Sequence, residues 1–173
     1  TAARIHLVLE YLPGGDLHKF IRGRGRLAER TAQRFLGHLA AGLQFLSRRQ
    51  LIHRDLKPQN LLLTKAADDG ELKIGDFGFA RHLEAAAMAE TLCGSPLYMA
   101  PEILFEIGYN KDCDWWSLGV VVYEMLVGTS PFASQDQMHT YQQIIKGLPK
   151  KQLTNVPEGA VRALVNRCLP VPA

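Results

Sequence analysis

The chain has 173 residues, 47% of them apolar and 21% charged, with a formal net charge of +3. That balance excludes a disordered or fibrous chain and leaves room for one domain with a substantial core. So small a positive surplus does not argue for a nucleic-acid partner, and none is expected. Cys93, Cys113 and Cys168 are odd in number, far apart and without CxxC spacing. This pattern argues against zinc and against a disulfide framework, and favours a reducing compartment. The longest apolar run, "WWSLGVVVYEMLVG", is interrupted by polar residues and too short for a bilayer. No charged-then-apolar leader opens the sequence, so a cytoplasmic location without a transmembrane segment is expected.

In chain order, "RIHLVLEYL" (4–12) alternates and is rich in β-formers, predicting a strand that ends at the turn "PGG". A short helix follows from Asp16. The basic cluster "RGRGRLAER" (Arg22, Arg24, Arg26, Arg30) then reads as a solvated loop and helix start. From Ala28 to Arg49, Phe35, Leu36, Leu39, Leu43 and Leu46 recur at helical spacing and form one apolar face. "NLLLT" and "ELKIGDF" flank the polar turn "KAADDG" as a hairpin with a loop longer than two residues. Residues 80–101 are irregular and end at Pro101; so long a stretch inside a compact domain is usually functional. Three helical patterns close the chain, at 114–127 (apolar nearly all round), about 135–146 and about 157–169. The sum is one mostly helical domain with a small strand pair.

The chemistry concentrates in "LIHRDLKPQNLLL" (51–63). Asp55, in a loop between a long helix and a strand, is placed to accept a hydroxyl proton, and the ammonium of Lys57 to neutralise negative charge developing beside it. Asn60 offers a hard carbonyl oxygen. "GDFG" puts Asp76 at the end of the next strand, so residues 60 and 76 can lie close across the hairpin. One amide and one carboxylate with open coordination positions suit magnesium whose other ligands are phosphates.

"HRDLKPQN" (53–60), "DFG" (76–78), "APE" (100–102) and "DWWSLG" (114–119) stand in this order at these spacings. Together they resemble the eukaryotic protein kinase family along essentially the whole chain. The resemblance implies an α+β, protein-kinase-like fold. Residues 1–16 would be the last small-lobe strand and hinge, and 17–173 the helical large lobe, cut before its final helix, with the rest of the N-terminal lobe missing. It implies a Ser/Thr protein kinase using ATP and Mg2+ on protein substrates carrying Ser or Thr. Asp55 would orient the substrate hydroxyl and accept its proton, Lys57 would steady the phosphoryl group, and Asn60 and Asp76 would hold two magnesium ions. His53 and Phe77 would stack as part of the regulatory spine, and Arg54 would pair with a phosphate on the activation loop. Leu9 would be the gatekeeper, the backbone of Glu10 and Leu12 would meet adenine, Asp16 would reach the ribose and Leu62 would pack beneath the base. Lys57 followed by Pro58, with Ser95 bonding both the Asp and the Lys, resembles the Ser/Thr branch.

"GDFGFAR" and "TLCGSPLYMAPEIL" resemble the autophagy-initiating, unc-51-like kinases, with Thr91 at the position of their activating phosphate. That resemblance implies partners in an autophagy-initiation complex. The doubled Trp of "DWWSLGVVVYEMLVGTSPF" is instead similar to the cyclic-nucleotide-dependent kinases. Nothing in the 173 residues matches the Gly-rich phosphate loop, the strand lysine or the regulatory helix of the family, so the isolated chain is expected to be close to inert. Glu102 of "APE" would want an arginine where the sequence reads "CLPVPA", leaving a buried carboxylate unpaired. The alternative reading is a non-catalytic large-lobe binding module that competes with a full-length kinase.

Overall fold

The computed structural model describes residues 6–82, 95–105, 110–148, 152, 154–156 and 159–169. Helix α1 (Leu17–Arg24) begins where Asp16 leaves extended geometry and its carboxylate accepts the Lys19 backbone N–H at 2.8 Å. That bond satisfies one of the donors a helix start leaves over. Helix α2 (Glu29–Arg48) buries Phe35, Leu39, Leu43 and Leu46, the face read from the periodicity. A two-residue strand β1 (Leu51–Ile52) leads into the polar loop, which tightens into a 3-10 turn over Pro58–Asn60. Strands β2 (Leu61–Leu63) and β3 (Leu72–Ile74) pair antiparallel in the register Leu61↔Ile74, Leu62↔Lys73 and Leu63↔Leu72. β1 finds a partner that the sequence did not announce, β4 (Arg81–His82), also antiparallel. Neither two-residue strand has enough length to show an alternating pattern.

After a 3-10 turn at Pro96–Tyr98 come α3 (Pro101–Leu104), α4 (Asp112–Val127), α5 (Gln137–Lys146) and α6 (Ala160–Cys168). Every residue of α4 from Trp116 to Leu126 is buried, with α2 and α6 packed against it. An apolar side chain on each face therefore has somewhere to go, as a centrally placed helix requires. Gly119 allows the approach of α6: a Cβ there would stand 2.6 Å from the Cys168 Cβ. Gly128 ends α4 at φ 91°, its N–H capping the Glu124 carbonyl at 2.8 Å. Among the described residues no helix is long and apolar enough to cross a membrane.

The strand expected over 4–12 does not form across its described part. Residues 6–12 carry no ladder, and Leu7, Val8, Leu9 and Tyr11 are 80–97% exposed. A strand exists through its neighbours, and among the described residues none lies alongside this segment. What holds it is the turn that follows. Gly14 N–H donates to the Leu63 carbonyl at 2.9 Å, Leu63 N–H returns to Gly15 at 2.8 Å, and Lys73 clasps both oxygens of Glu10 at 2.7 and 2.9 Å. Glu102 is half-buried, not buried, and has no partner among the described residues, so its ionisation costs less than the sequence suggested.

Candidate active site

The loop between β1 and the Pro58–Asn60 turn is fixed from beneath. The N–H groups of His53 and Arg54 both donate to the Asp114 carboxylate, at 2.8 and 3.0 Å, from the first turn of α4. Asp114 is 5% exposed, and burial pushes its carboxyl up while the two amides pull it back. His53 is fully buried. Its Nδ1 accepts the Asp55 N–H at 3.4 Å, which leaves Nε2 to donate to the Gly75 carbonyl at 2.9 Å. Its ring also meets Phe77 edge-on, with centroids 5.1 Å apart. Arg54 is held at φ 71°, a conformation that non-glycine residues rarely adopt outside such constrained sites.

This anchoring delivers Asp55 into a three-sided clasp. Lys57 Nζ lies 2.7 Å from its Oδ2, Asn60 Nδ2 donates to the same oxygen at 3.0 Å, and the Ser95 hydroxyl donates to Oδ1 at 3.2 Å. Lys57 also donates to Ser95 Oγ at 2.9 Å, closing the ring. Asp55 is 4% exposed; Oδ2 already takes Lys57 and Asn60, while Oδ1, holding only Ser95 among the described residues, has room for one further acceptance, since a carboxylate offers about four lone-pair positions. With Nδ2 committed to the Asp55 carbonyl and carboxylate, the atom that Asn60 has for a cation is its amide oxygen.

Asp76 is exposed, at φ 54°, and its Oδ1 accepts only the Gly78 N–H, at 3.2 Å, among the described residues. The hairpin brings it near Asn60: Gly75 N–H donates to the Asn60 carbonyl at 2.8 Å, one step beyond the Leu61↔Ile74 pair. No cluster of three His, Cys, Asp or Glu side chains gathers among the described residues. The donor set here is one amide and one carboxylate, hard oxygens that fit magnesium completed by phosphate and water.

The residues read as nucleotide contacts are more scattered. Leu62 is half-buried at the middle of β2 and bridges to Asp16. The Asp16 carboxylate is shared between capping α1 and the Lys19 ammonium at 3.1 Å. Although partial burial works the other way, these bonds hold it below the usual carboxylate range. Leu9 is 80% exposed, Glu10 faces Lys73, and the Leu12 carbonyl accepts the Gly15 N–H at 3.4 Å. Thr91 lies outside the described residues.

Beside the clasp opens a cavity of about 700 Å³ whose walls include Lys57, Asn60, Ser95, Leu97 and Glu124. Glu124 accepts the Tyr98 hydroxyl at 2.7 Å and lies 3.9 Å from His18 Nδ1. Burial pushes the Glu124 carboxyl up, against the pull of Tyr98 and His18, and burial next to that carboxylate raises the Tyr98 phenol as well. The sequence reading passed over Asp114 and Glu124. The signal available was an acid inside an otherwise apolar helix, which persists only where a partner satisfies it.

The family described as Protein kinase domain matches residues 1–170. The chain is 50% identical over 146 residues to Serine/threonine-protein kinase ATG1c of Arabidopsis thaliana, covering 84% of this chain and 20% of that protein. It is 49% identical over 130 residues to Serine/threonine-protein kinase atg1 of Dictyostelium discoideum, covering 75% and 20%. It is 41% identical over 145 residues to cAMP-dependent protein kinase catalytic subunit 3 of Drosophila melanogaster, covering 84% and 24%. The chain thus spans about a fifth of the length of the curated relatives it matches. With the family matched over residues 1–170 and the loop, hairpin and central helix assembled around Asp55, the chain belongs to the protein kinase domain family.

Proposed function

We propose that these residues form the phosphoryl-transfer half of a Ser/Thr protein kinase, moving the γ-phosphoryl group of ATP to protein Ser and Thr hydroxyls. The observation that carries this reading is the clasp of Lys57, Asn60 and Ser95 on the Asp55 carboxylate, at 2.7 to 3.2 Å. In it Asp55 takes a hydrogen bond from the incoming hydroxyl, aims it along the line of attack and receives its proton as the new bond forms. Lys57 holds positive charge beside the transferring group. Asn60 and Asp76 supply the oxygens for magnesium, which when bound neutralises phosphate charge. Ser95 keeps Lys57 and Asp55 at fixed separation, and the 700 Å³ cavity next to them receives the peptide that bears the hydroxyl.

Residues 1–16 correspond in sequence to the stretch that supplies the last small-lobe strand and hinge in the family, although residues 6–12 form no strand here, and 17–173 correspond to the large lobe. Leu9, the backbone of Glu10 and Leu12, Asp16 and Leu62 line the adenosine side. The exposure of Leu7, Val8, Leu9 and Tyr11 supports inactivity of these 173 residues by themselves, since nothing among the described residues roofs the base. Arg54 reads a phosphate on Thr91, which switches the enzyme on. The names of the plant and Dictyostelium relatives support a role in autophagy initiation, with complex members as partners. Cytoplasmic placement is supported by the free Cys113 and Cys168.

The test is transfer of labelled phosphate from ATP by the full-length protein to peptides carrying Ser, Thr or Tyr. Label on Ser and Thr is expected. Label on Tyr alone, or none from the Thr91-phosphorylated protein, contradicts the reading.

A further inference from the structure

A second cleft, of about 390 Å³, lies between α1 and the turn that joins β2 to β3, lined by Gly14, Lys19, Phe20, Gly23, Arg24 and Ala66. None of the groups assigned to phosphoryl transfer lines it. Its volume is that of a small recognition pocket, and both of its charged walls are basic. The Arg24 guanidinium lies over the Phe20 ring, 3.8 Å from the centroid, which fixes where its charge stands. Lys19 is 82% exposed. Arg26 and Arg30 are exposed on the stretch that follows, while Arg22 lines a separate pocket with His18 and Glu124.

Acidic groups already touch this surface, and their strengths matter. Asp16 holds Lys19 at 3.1 Å, and Asp68 of the β2–β3 turn stands 3.7 Å from Arg24, with the two side chains 38% and 63% exposed. Exposed pairs of this kind contribute about 0–1 kcal/mol, so an external carboxylate can displace Asp68 at small cost. The turn itself is held by other bonds: Lys65 to Asp69 at 2.6 Å and Arg34 to the Asp69 carbonyl at 2.7 Å. Releasing Asp68 from Arg24 therefore leaves the cleft wall in place. Two cations on one cleft, with a weakly held carboxylate already on one of them, match a strand of acidic side chains.

We propose that this cleft docks an acidic linear segment of a partner protein. Arg24, propped on the buried Phe20 ring, and Lys19 pair with its carboxylates. Because the proposal rests on charge and shape away from Asp55, its test does not read catalysis.

The probe is a fluorescein-labelled peptide alternating Glu and Leu, titrated with the full-length protein and followed by fluorescence anisotropy; a Lys-for-Glu peptide is the control. The acidic peptide binds and the Lys peptide does not. Arg24→Glu weakens binding about tenfold, while Asp68→Ala, which removes the internal competitor, tightens it about two- to threefold. Arg48→Glu makes the same charge change at the C-terminal end of α2 and leaves binding unaltered. Equal binding of both peptides, no effect of Arg24→Glu, or an equal loss with Arg48→Glu overturns the proposal. So does capture by phosphatidylserine vesicles that Arg24→Glu abolishes while the acidic peptide fails to bind, since the surface would then face a membrane.

Discussion

The two carboxylates at the heart of the site live in opposite conditions. Asp55 is 4% exposed and clasped by Lys57, Asn60 and Ser95, on a loop whose backbone is tied to Asp114. Asp76 is exposed, sits at φ 54° and accepts only the N–H of Gly78 among the described residues. On the proposed reading, the chain preorganises the end of the site that orients a hydroxyl and leaves the metal-facing end to be completed by its ligand. Physical chemistry favours that division. A group that must be aimed gains from being fixed before the reaction, whereas a carboxylate meant for a hydrated dication gains from staying solvated until the ion arrives.

The largest effect should come from the open end. In the full-length protein Asp76→Ala lowers phosphoryl transfer by at least about a thousandfold, because a site for positive charge is lost along with the carboxylate. Activity that stays within tenfold and keeps its magnesium dependence would show that Asp76 does not hold the ion. Next in size is the anchor of the locked end. Asp114→Ala leaves the buried N–H groups of His53 and Arg54 without an acceptor and costs about 2–4 kcal/mol in a urea titration. A loss under about 1 kcal/mol would mean that the loop stands without it.

Ser95→Ala removes two hydrogen bonds from the clasp but keeps both charges. It should lower kcat about five- to tenfold with KM for ATP unchanged. A change in KM alone would put Ser95 on the binding side. The smallest effect concerns Glu124, whose folded carboxyl is pushed up by burial. The folded state then holds a proton more tightly than the unfolded state. Stability from this group is present below the ordinary value near 4.5 and is lost as pH rises through the raised one. Glu124→Gln removes that loss, so the fall in melting temperature from about pH 4.5 upward becomes shallower. An unchanged slope would assign the pH dependence elsewhere.

What the sequence disclosed follows the length of its signals. The twenty-residue helix α2 and the buried α4 repeat their pattern over several turns, and the β2–β3 hairpin carries apolar strands around a polar turn, so all three were legible. The gathering of Asp55, Lys57 and Asn60 was legible because they stand within six residues on one loop, and the approach of Asp76 to Asn60 because the hairpin was. The segment 4–12 was misread across residues 6–12, since alternation reports suitability for a sheet and says nothing of whether a neighbouring strand is there. The β1–β4 pair is two residues long and has no sequence signature. Asp114, 61 positions from His53, and Glu124, facing Tyr98, depend on contacts made by the fold. The acidic interruption of an apolar helix was the only trace they left.

One experiment bears on the division of labour most directly: Mg–ATP titrated calorimetrically into full-length Asp55→Asn protein, with phosphoryl transfer measured on the same preparation. If Asp55 aims and deprotonates the hydroxyl while the metal end is separate, Mg–ATP affinity stays within about threefold and transfer falls by about a hundred- to ten-thousandfold. Transfer at the wild-type rate, or Mg–ATP binding lost together with transfer, would contradict it.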